Sequence, residues 1–197
     1  MESPRRNSLA NITLPDVISL ATNRAILRPW VEDDMDDYIA LCTDPDVMQY
    51  IGDGRPRSDS EARKSFERLL VSWNERHYGL LAVERIDTGQ FAGFSGLSEP
   101  DFLPEIMPAV EIGWRLNRDT WGLGIGTEAA SAVLDWAFGP LALERVVAVI
   151  QVENVRSQRV AAKLGMQRER RTILPSHGVW ADVYELRRNQ WPTGVGA

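Results

Sequence analysis

Three glycines alternate in Trp121-Gly122-Leu123-Gly124-Ile125-Gly126-Thr127. An apolar, strand-like segment, Val110–Leu116, precedes them, and a helix-forming run, Thr127–Phe138, follows. Glycines at such a junction let the backbone approach a ligand closely and aim successive N–H groups at one point, and the helix N-terminus adds partial positive charge there. A phosphate or pyrophosphate is the guest this chemistry suits; a glycine-rich helix start without a ligand is the plainer alternative. The flanks discriminate among phosphate sites. A P-loop needs Gly-Lys-Ser/Thr, whereas Gly126 is followed by Thr127-Glu128. A dinucleotide fingerprint needs Gly-x-Gly-x-x-Gly and an acidic residue about 20 positions on. The spacing here is Gly-x-Gly-x-Gly, and the acidic residue at that distance, Glu144, opens a strand.

Two other constellations can move protons. Glu111 lies one residue into the strand before the glycines, where alternation puts Glu111, Gly113 and Arg115 on one face and Ile112, Trp114 and Leu116 on the other. Its carboxylate could serve as a base or pair with Arg115. Glu99 and Asp182 are further candidate bases. Asn154 and Ser157 stand three apart at a helix start, hence on one face, and Asn154 is equally readable as the helix cap.

Trp121-Gly-Leu-Gly-Ile-Gly-Thr-Glu-Ala resembles the acetyl-CoA pyrophosphate loop of the GNAT N-acetyltransferase superfamily, in its ribosomal-protein N-terminal (Rim-type) branch. The superfamily loop begins with Gln or Arg where Trp121 stands, a substitution usual in that branch. Asn23–Tyr50, with Asp44-Pro-Asp-Val-Met-Gln-Tyr50, resembles the branch's opening segment, and Glu144–Met166 resembles its closing strand and helix. The likeness runs colinearly over about residues 23–191.

It implies a mixed α/β fold, with a six- to seven-stranded central sheet flanked by helices on both faces. It also implies transfer of an acetyl group from acetyl-CoA directly to a primary amine in a ternary complex, with no metal. The acceptor would be a protein N-terminal α-amine or a small-molecule amine. Such a reaction must remove a proton from the amine, hold an oxyanion and stabilise a leaving thiolate. By resemblance, Glu111 is the base and Ser157 the group at the sulfur, with Tyr184 as its substitute. Asn154 meets the pantetheine arm, and the backbone of Trp114, Arg115 and Leu116 holds pantetheine and oxyanion. Trp121, Gly122, Leu123, Gly124, Ile125, Gly126 and Thr127 form the phosphate cradle. Arg156 and Arg159 are candidates for the adenosine phosphates, and His177 and Trp180 for the acceptor border. A catalytically silent acyl-CoA-binding module is the competing reading. The resemblance also raises a homodimer as an assembly.

Composition narrows the rest. The chain has 197 residues, 44% hydrophobic and 25% charged, enough for one self-supporting domain. A net charge of −6 argues against a nucleic-acid binder, which would show a basic face. The lone Cys42 excludes an intrachain disulfide and suits a reducing cytoplasm; its helical neighbours favour a core position over a nucleophile. No apolar run reaches the length of a membrane span.

Positioning falls to a series of short elements. Residues 1–22 read as an irregular arm with a short ordered piece at Val17–Leu20, 23–191 as one domain and 192–197 as a tail. Within the domain the pattern predicts strands at Arg24–Trp30, Leu80–Arg85, Phe91–Leu97, Val110–Leu116, Glu144–Gln151, Gln167–Ile173 and Val179–Arg187. Helices are predicted at Glu32–Cys42, from Pro45, from Ser58 or Asp59 to His77, at Thr127–Phe138 and at Val155–Leu164. Periodicity alone yields only helices with strands. The loops Gly52–Ser58 and Glu99–Pro108, the latter with three prolines, read as surface or substrate-side segments.

Overall fold

A computed structural model describes residues 18–76 and 78–192. The expected arm up to residue 17, the end of the long helix at His77, the packing of Trp73 and the tail from residue 193 lie outside the described residues. Eight strands form one sheet: β1 (Leu20–Ala21), β2 (Ala25–Arg28), β3 (Leu80–Arg85), β4 (Phe91–Ser98), β5 (Glu111–Leu116), β6 (Arg145–Gln151), β7 (Gln167–Ile173) and β8 (Trp180–Arg187). Their order is β1-β2-β3-β4-β5-β6-β8-β7. Among the described residues five α-helices accompany them: α1 (Met35–Thr43), α2 (Pro45–Met48), α3 (Asp59–Arg76), α4 (Ile125–Phe138) and α5 (Val155–Lys163).

The expected mixed α/β class stands, with a correction to the strand count. The eighth strand is β1, which pairs Leu20 with Leu27 and Ala21 with Ile26 where an irregular arm was expected. Two residues are too short for a periodic signal, so only an adjacent strand edge could make them extended.

Helix starts follow local chemistry. Asp44 accepts from the Asp46 N–H at 2.8 Å, and Pro45 occupies the first turn of α2. At α3 the Ser58 N–H donates to Glu61 Oε2 at 2.7 Å and the Glu61 N–H donates to Ser58 Oγ at 3.3 Å, a reciprocal capping box. The Ser58 N–H and hydroxyl, both donating to Glu61 Oε2, hold the Glu61 carboxyl down at about 2. α4 begins two residues earlier than expected, because Gly124 at φ 86° supplies the left-handed cap that Thr127 could not.

Helices cover both faces. Arg115 pairs with Phe94 across β5 and β4, so both side chains share one face. On that face Phe94 meets Tyr38 of α1 and Trp30, and Phe66 of α3 meets Trp30 edge-on at 5.5 Å and 90°. The buried Trp30 indole donates to Leu80 O at 2.8 Å, so its one polar group is satisfied. The other face takes α4, whose Ala129, Ala130, Val133, Leu134 and Ala137 are fully buried. A smaller core joins Leu103 and Ile106 to Val147, Leu174, Ala181 and Val183. The Glu99–Pro108 segment is therefore anchored by two buried apolar side chains rather than lying wholly on the surface.

Neighbouring strands are antiparallel except β5 and β6, whose parallel register is the single pair Glu111↔Val147. Close approach of β4 to β5 depends on Gly93, at φ 135°, where a Cβ would lie 2.7 Å from Leu116 Cα and closer still to Arg115 O. Gly93→Ala should therefore lower unfolding free energy by more than about 2 kcal/mol. Gly89→Ala, also at positive φ but with open space around it, should lose about 1 kcal/mol. Equal losses in urea denaturation would show that the interstrand gap is not the constraint.

Candidate active site

From Glu111 onward β5 and β6 separate, and the gap opens into a cavity of about 590 Å³. Ile112, Gly113, Trp114 and Arg115 line it from β5, and Ala148, Val149, Ile150 and Gln151 from β6. At the vertex sits the Glu111 side chain. The Val149 N–H donates to Glu111 Oε1 at 3.3 Å, a carboxylate taking the place of a ladder carbonyl. Glu111 makes no ion pair among the described residues, and Arg115 turns away from it. Burial without a cation disfavours the charged form and lifts the Glu111 carboxyl to about 7, against the opposing pull of the Val149 hydrogen bond. A carboxyl poised there can accept a proton near neutral pH.

Asn154 and Ser157 line the same cavity from the start of α5. Asn154 Oδ1 accepts from the Ser157 N–H at 3.1 Å, so the cap reading of Asn154 holds. The bond consumes one acceptor and leaves the Asn154 amide N–H₂ and the Ser157 hydroxyl uncommitted among the described residues.

The glycine turn stands outside this cavity. Gly122 and Gly124 have φ 80° and 86°, and no hydrogen bond engages the N–H groups of Gly122, Gly124, Ile125 and Gly126 among the described residues. These are the free donors of a helix N-terminus, and they fit a pyrophosphate. Leu123 is 46% exposed beside them. Trp121 is half-buried; its indole donates to Leu116 O at 2.9 Å, and the Arg156 guanidinium lies over its ring at 4.2 Å. Trp121 thus ties the turn to β5 and to α5, and Leu116 turns its side chain to α4 rather than to the cavity. Thr127 donates its N–H to Gly124 O at 3.1 Å, which closes the first turn.

The other sequence candidates separate. Asp182 is buried and paired with Arg171 at 2.7 Å and Arg168 at 3.6 Å; Arg171 above all holds its carboxyl below the usual range, so it is no base. Tyr184 packs against the core away from the cavity lining, and burial pushes its hydroxyl up. Glu99 accepts from Tyr78 Oη at 3.3 Å. His177 borders the cavity, and Trp180 is 56% exposed outside it. Arg159 and Arg156 lie exposed on α5.

Sequence reasoning did not name Tyr38, Arg57 or Ser65 as site residues, and read Arg115 only as a possible partner of Glu111 and through its backbone. Arg57 donates to Ser65 Oγ at 2.7 Å and Tyr38 Oη at 3.3 Å, and Arg115 donates to Cys42 Sγ at 3.3 Å with its guanidinium 5.0 Å from the Phe94 ring centre. Tyr38, Arg57, Ser65 and Arg115 all line the cavity. Only the position of Arg57 in the Gly52–Ser58 loop hinted at this cluster.

Such a forked parallel pair, with a glycine-capped helix after one arm and a capped helix after the other, defines an acyl-CoA-dependent transferase architecture. Residues 24–167 match the family model described as an acetyltransferase (GNAT) domain, and the chain belongs to the GNAT acetyltransferase family. Its members use acetyl-CoA as cosubstrate, and the chain is an acetyl-CoA-dependent N-acetyltransferase. It is 28% identical over 176 residues to an uncharacterized N-acetyltransferase of Bacillus subtilis, YnaD, spanning 87% of this chain and 98% of that protein. It is similar to the crystal structure of an acetyltransferase from Agrobacterium tumefaciens, with TM-score 0.74 and 26% identity over 93% of this chain and 99% of that one. The fold is also that of RimL, a ribosomal L7/L12 α-N-protein acetyltransferase: TM-score 0.70 and 17% identity over 94% of this chain and 98% of that one. Among the described residues no group of three or more His, Cys, Asp and Glu could hold a metal, and no helix is long and apolar enough to cross a membrane.

The raised carboxyl has a stability consequence. Below the ordinary carboxylate value near 4.5, Glu111 is protonated both folded and unfolded and costs nothing. As pH rises from there to about 7, the unfolded chain loses the proton first, so folding stability falls. Glu111→Gln removes that loss while keeping an oxygen for Val149. It should therefore be more stable than wild type at pH 8, by up to about 3 kcal/mol, and the gain should vanish near pH 4.5. Parallel pH–stability curves for the two proteins would show that Glu111 titrates normally.

Proposed function

We propose that the enzyme acetylates a primary amine by direct transfer in a ternary complex, with Glu111 as the general base. One catalytic domain, residues 23–191, carries the reaction, in a reducing cytoplasm that a single buried Cys42 suits. The observation that carries the base assignment is the placement of an unpaired, proton-ready carboxyl at the vertex of the β5–β6 fork. Glu111 takes a proton from the incoming ammonium, directly or through one water, and so frees the lone pair that attacks the thioester carbonyl. The backbone of Trp114, Arg115 and Leu116, which has no partner strand on the β6 side, is free to hold pantetheine and the developing oxyanion. Ser157 donates its hydroxyl hydrogen bond to the sulfur as negative charge collects there, and Asn154 contacts the pantetheine arm with its spare amide. The turn from Trp121 to Thr127 receives the pyrophosphate on its free N–H groups. Bound acetyl-CoA supplies the activated acetyl group. A catalytically silent CoA-binding module would have no use for a buried carboxyl with a lifted pKa. The likeness to RimL makes a protein N-terminal α-amine the first acceptor to try.

With an accepted amine, Glu111→Gln should lower kcat about 10²-fold or more and leave acetyl-CoA affinity unchanged. In wild type kcat should rise with pH to a plateau above about 7, since the base must be deprotonated. Unchanged kcat from pH 6 to 9 in the variant would return Glu111 to a structural role.

Asn154 and Ser157 should fail differently. Ser157→Ala should depress mainly kcat, because its hydrogen bond strengthens in the transition state. Asn154→Ala should raise the acetyl-CoA Kd and also lower stability by about 1 kcal/mol, the value of a lost cap. Stability lost without affinity would leave Asn154 as a cap alone.

A further inference from the structure

The cavity side facing α1 and α3 is positively charged in a chain of net charge −6. Arg57, Arg68 and Arg115 line the cavity, and Glu111 is the one carboxylate lining it among the described residues. None of the three arginines pairs with a carboxylate among the described residues. Arg57 bonds to hydroxyls, and Arg115 to a thiol and an aromatic face. The buried Nε of Arg115 has no hydrogen-bond partner. An unsatisfied buried donor on a cation costs stability of its own. Arginine pairs with planar forks are the usual receptor for carboxylate or phosphate.

The geometry sets a length. Glu111 and Arg115 are four residues apart on one face of β5, about 13 Å between Cα atoms. The position between them on that face is Gly113, where a Cβ would meet nothing within 4 Å. The strand thus presents a bare floor between the vertex and the arginines, open to an extended segment. A free α-amino acid, with amine and carboxylate under about 4 Å apart, cannot reach both ends. A polyamine would bring a second positive charge to the arginines, and like charges repel at such a site.

We propose that the acceptor carries an anionic group about 10 Å from its reactive amine, and that Arg57 and Arg115 receive that group. An extended peptide with an acidic or phosphorylated side chain at its third residue has this spacing. The inference rests on Glu111 marking the amine end. Tyr38 and Ser65, which accept from Arg57 and are hydrogen-bonded to each other, fix its guanidinium beside the site. Specificity follows from the same charges: a neutral third residue leaves Arg57 and Arg115 without a carboxylate or phosphate partner, and a basic one adds repulsion.

The test measures product binding, which requires no turnover. N-acetylated tripeptide amides Ser-Gly-Glu, Ser-Gly-phosphoserine, Ser-Gly-Gln and Ser-Gly-Lys are titrated calorimetrically into the CoA-saturated protein. The two anionic peptides should bind about tenfold or more tighter than the Gln peptide, as a charge-assisted bond implies. Which anionic peptide binds better identifies carboxylate or phosphate as the group. Arg57→Gln should collapse the ratio to near one. Should that variant melt early, Arg57→Lys, which keeps the charge, should retain a preference of several-fold. Equal binding of the Glu and Gln peptides, tighter binding of the Lys peptide, or no binding of any peptide at millimolar concentration would each overturn the subsite. Acetyl-CoA turnover with amines is measured separately. Turnover without charge preference sinks the subsite alone; charge-dependent binding with no amine acetylated sinks the catalytic reading alone.

Discussion

Everything at the site depends on β5 and β6 being parallel neighbours that stay together for one residue pair and then part. A sheet normally satisfies each strand's N–H and C=O groups on both sides. Here β4 pairs with β5 from Gly93 to Leu116 through Ser98 to Glu111, and β8 pairs with β6 along its whole length. Each strand is thus held firmly from outside, which lets the inner edges separate without the sheet falling apart. The divergence leaves backbone groups along the gap without a partner strand, which is the basis of the role proposed for them.

The vertex of that gap explains the state of Glu111. Its carboxylate bonds to a strand N–H that the divergence has orphaned, and the same closeness to the core denies it a cation. Desolvation outweighs the one hydrogen bond, so the group resists ionisation. Stability is given up at neutral pH to keep this carboxyl there, a trade that fits the base role proposed for it. Asp182 shows the opposite outcome for the same side-chain type. Its side chain is also shielded from solvent, but Arg171 and Arg168 pair with it and hold its carboxyl below the usual range.

Trp121 links the two helix starts. Its indole bonds to the last carbonyl of β5, its ring carries Arg156 of α5, and the glycine turn begins directly after it. The aromatic thus packs between the glycine turn and the fork. Arg24 extends the same arrangement, pairing with Glu128 in the first turn of α4 while its guanidinium lies against Gly124. An opposite charge near a helix terminus, held by its own partner, leaves the turn's N–H groups unspent.

Local chemistry made much of this protein legible from sequence. Glycine spacing, the Asp44-Pro45 turn, the helix start at Ser58 or Asp59, the Asn154 cap and the alternation along β5 are short-range signals, each decided by residues within a few positions of one another. They placed the glycine turn, the strand with Glu111 and the helix with Asn154 and Ser157, and family resemblance supplied their order. Tertiary structure alone decided the rest. It brought Arg57, on a loop, and Arg115, on a strand, to one cavity, denied Glu111 the ion pair with Arg115 that alternation allowed, and drew Leu103 and Ile106 of a proline-rich loop into a core. It also made a strand of Leu20–Ala21. The first three share a physical reason: desolvation and charge pairing depend on which segments pack together in space, and no local pattern encodes that; β1 differs in that its partner strand is only five to seven residues on, but two residues carry no periodic signal.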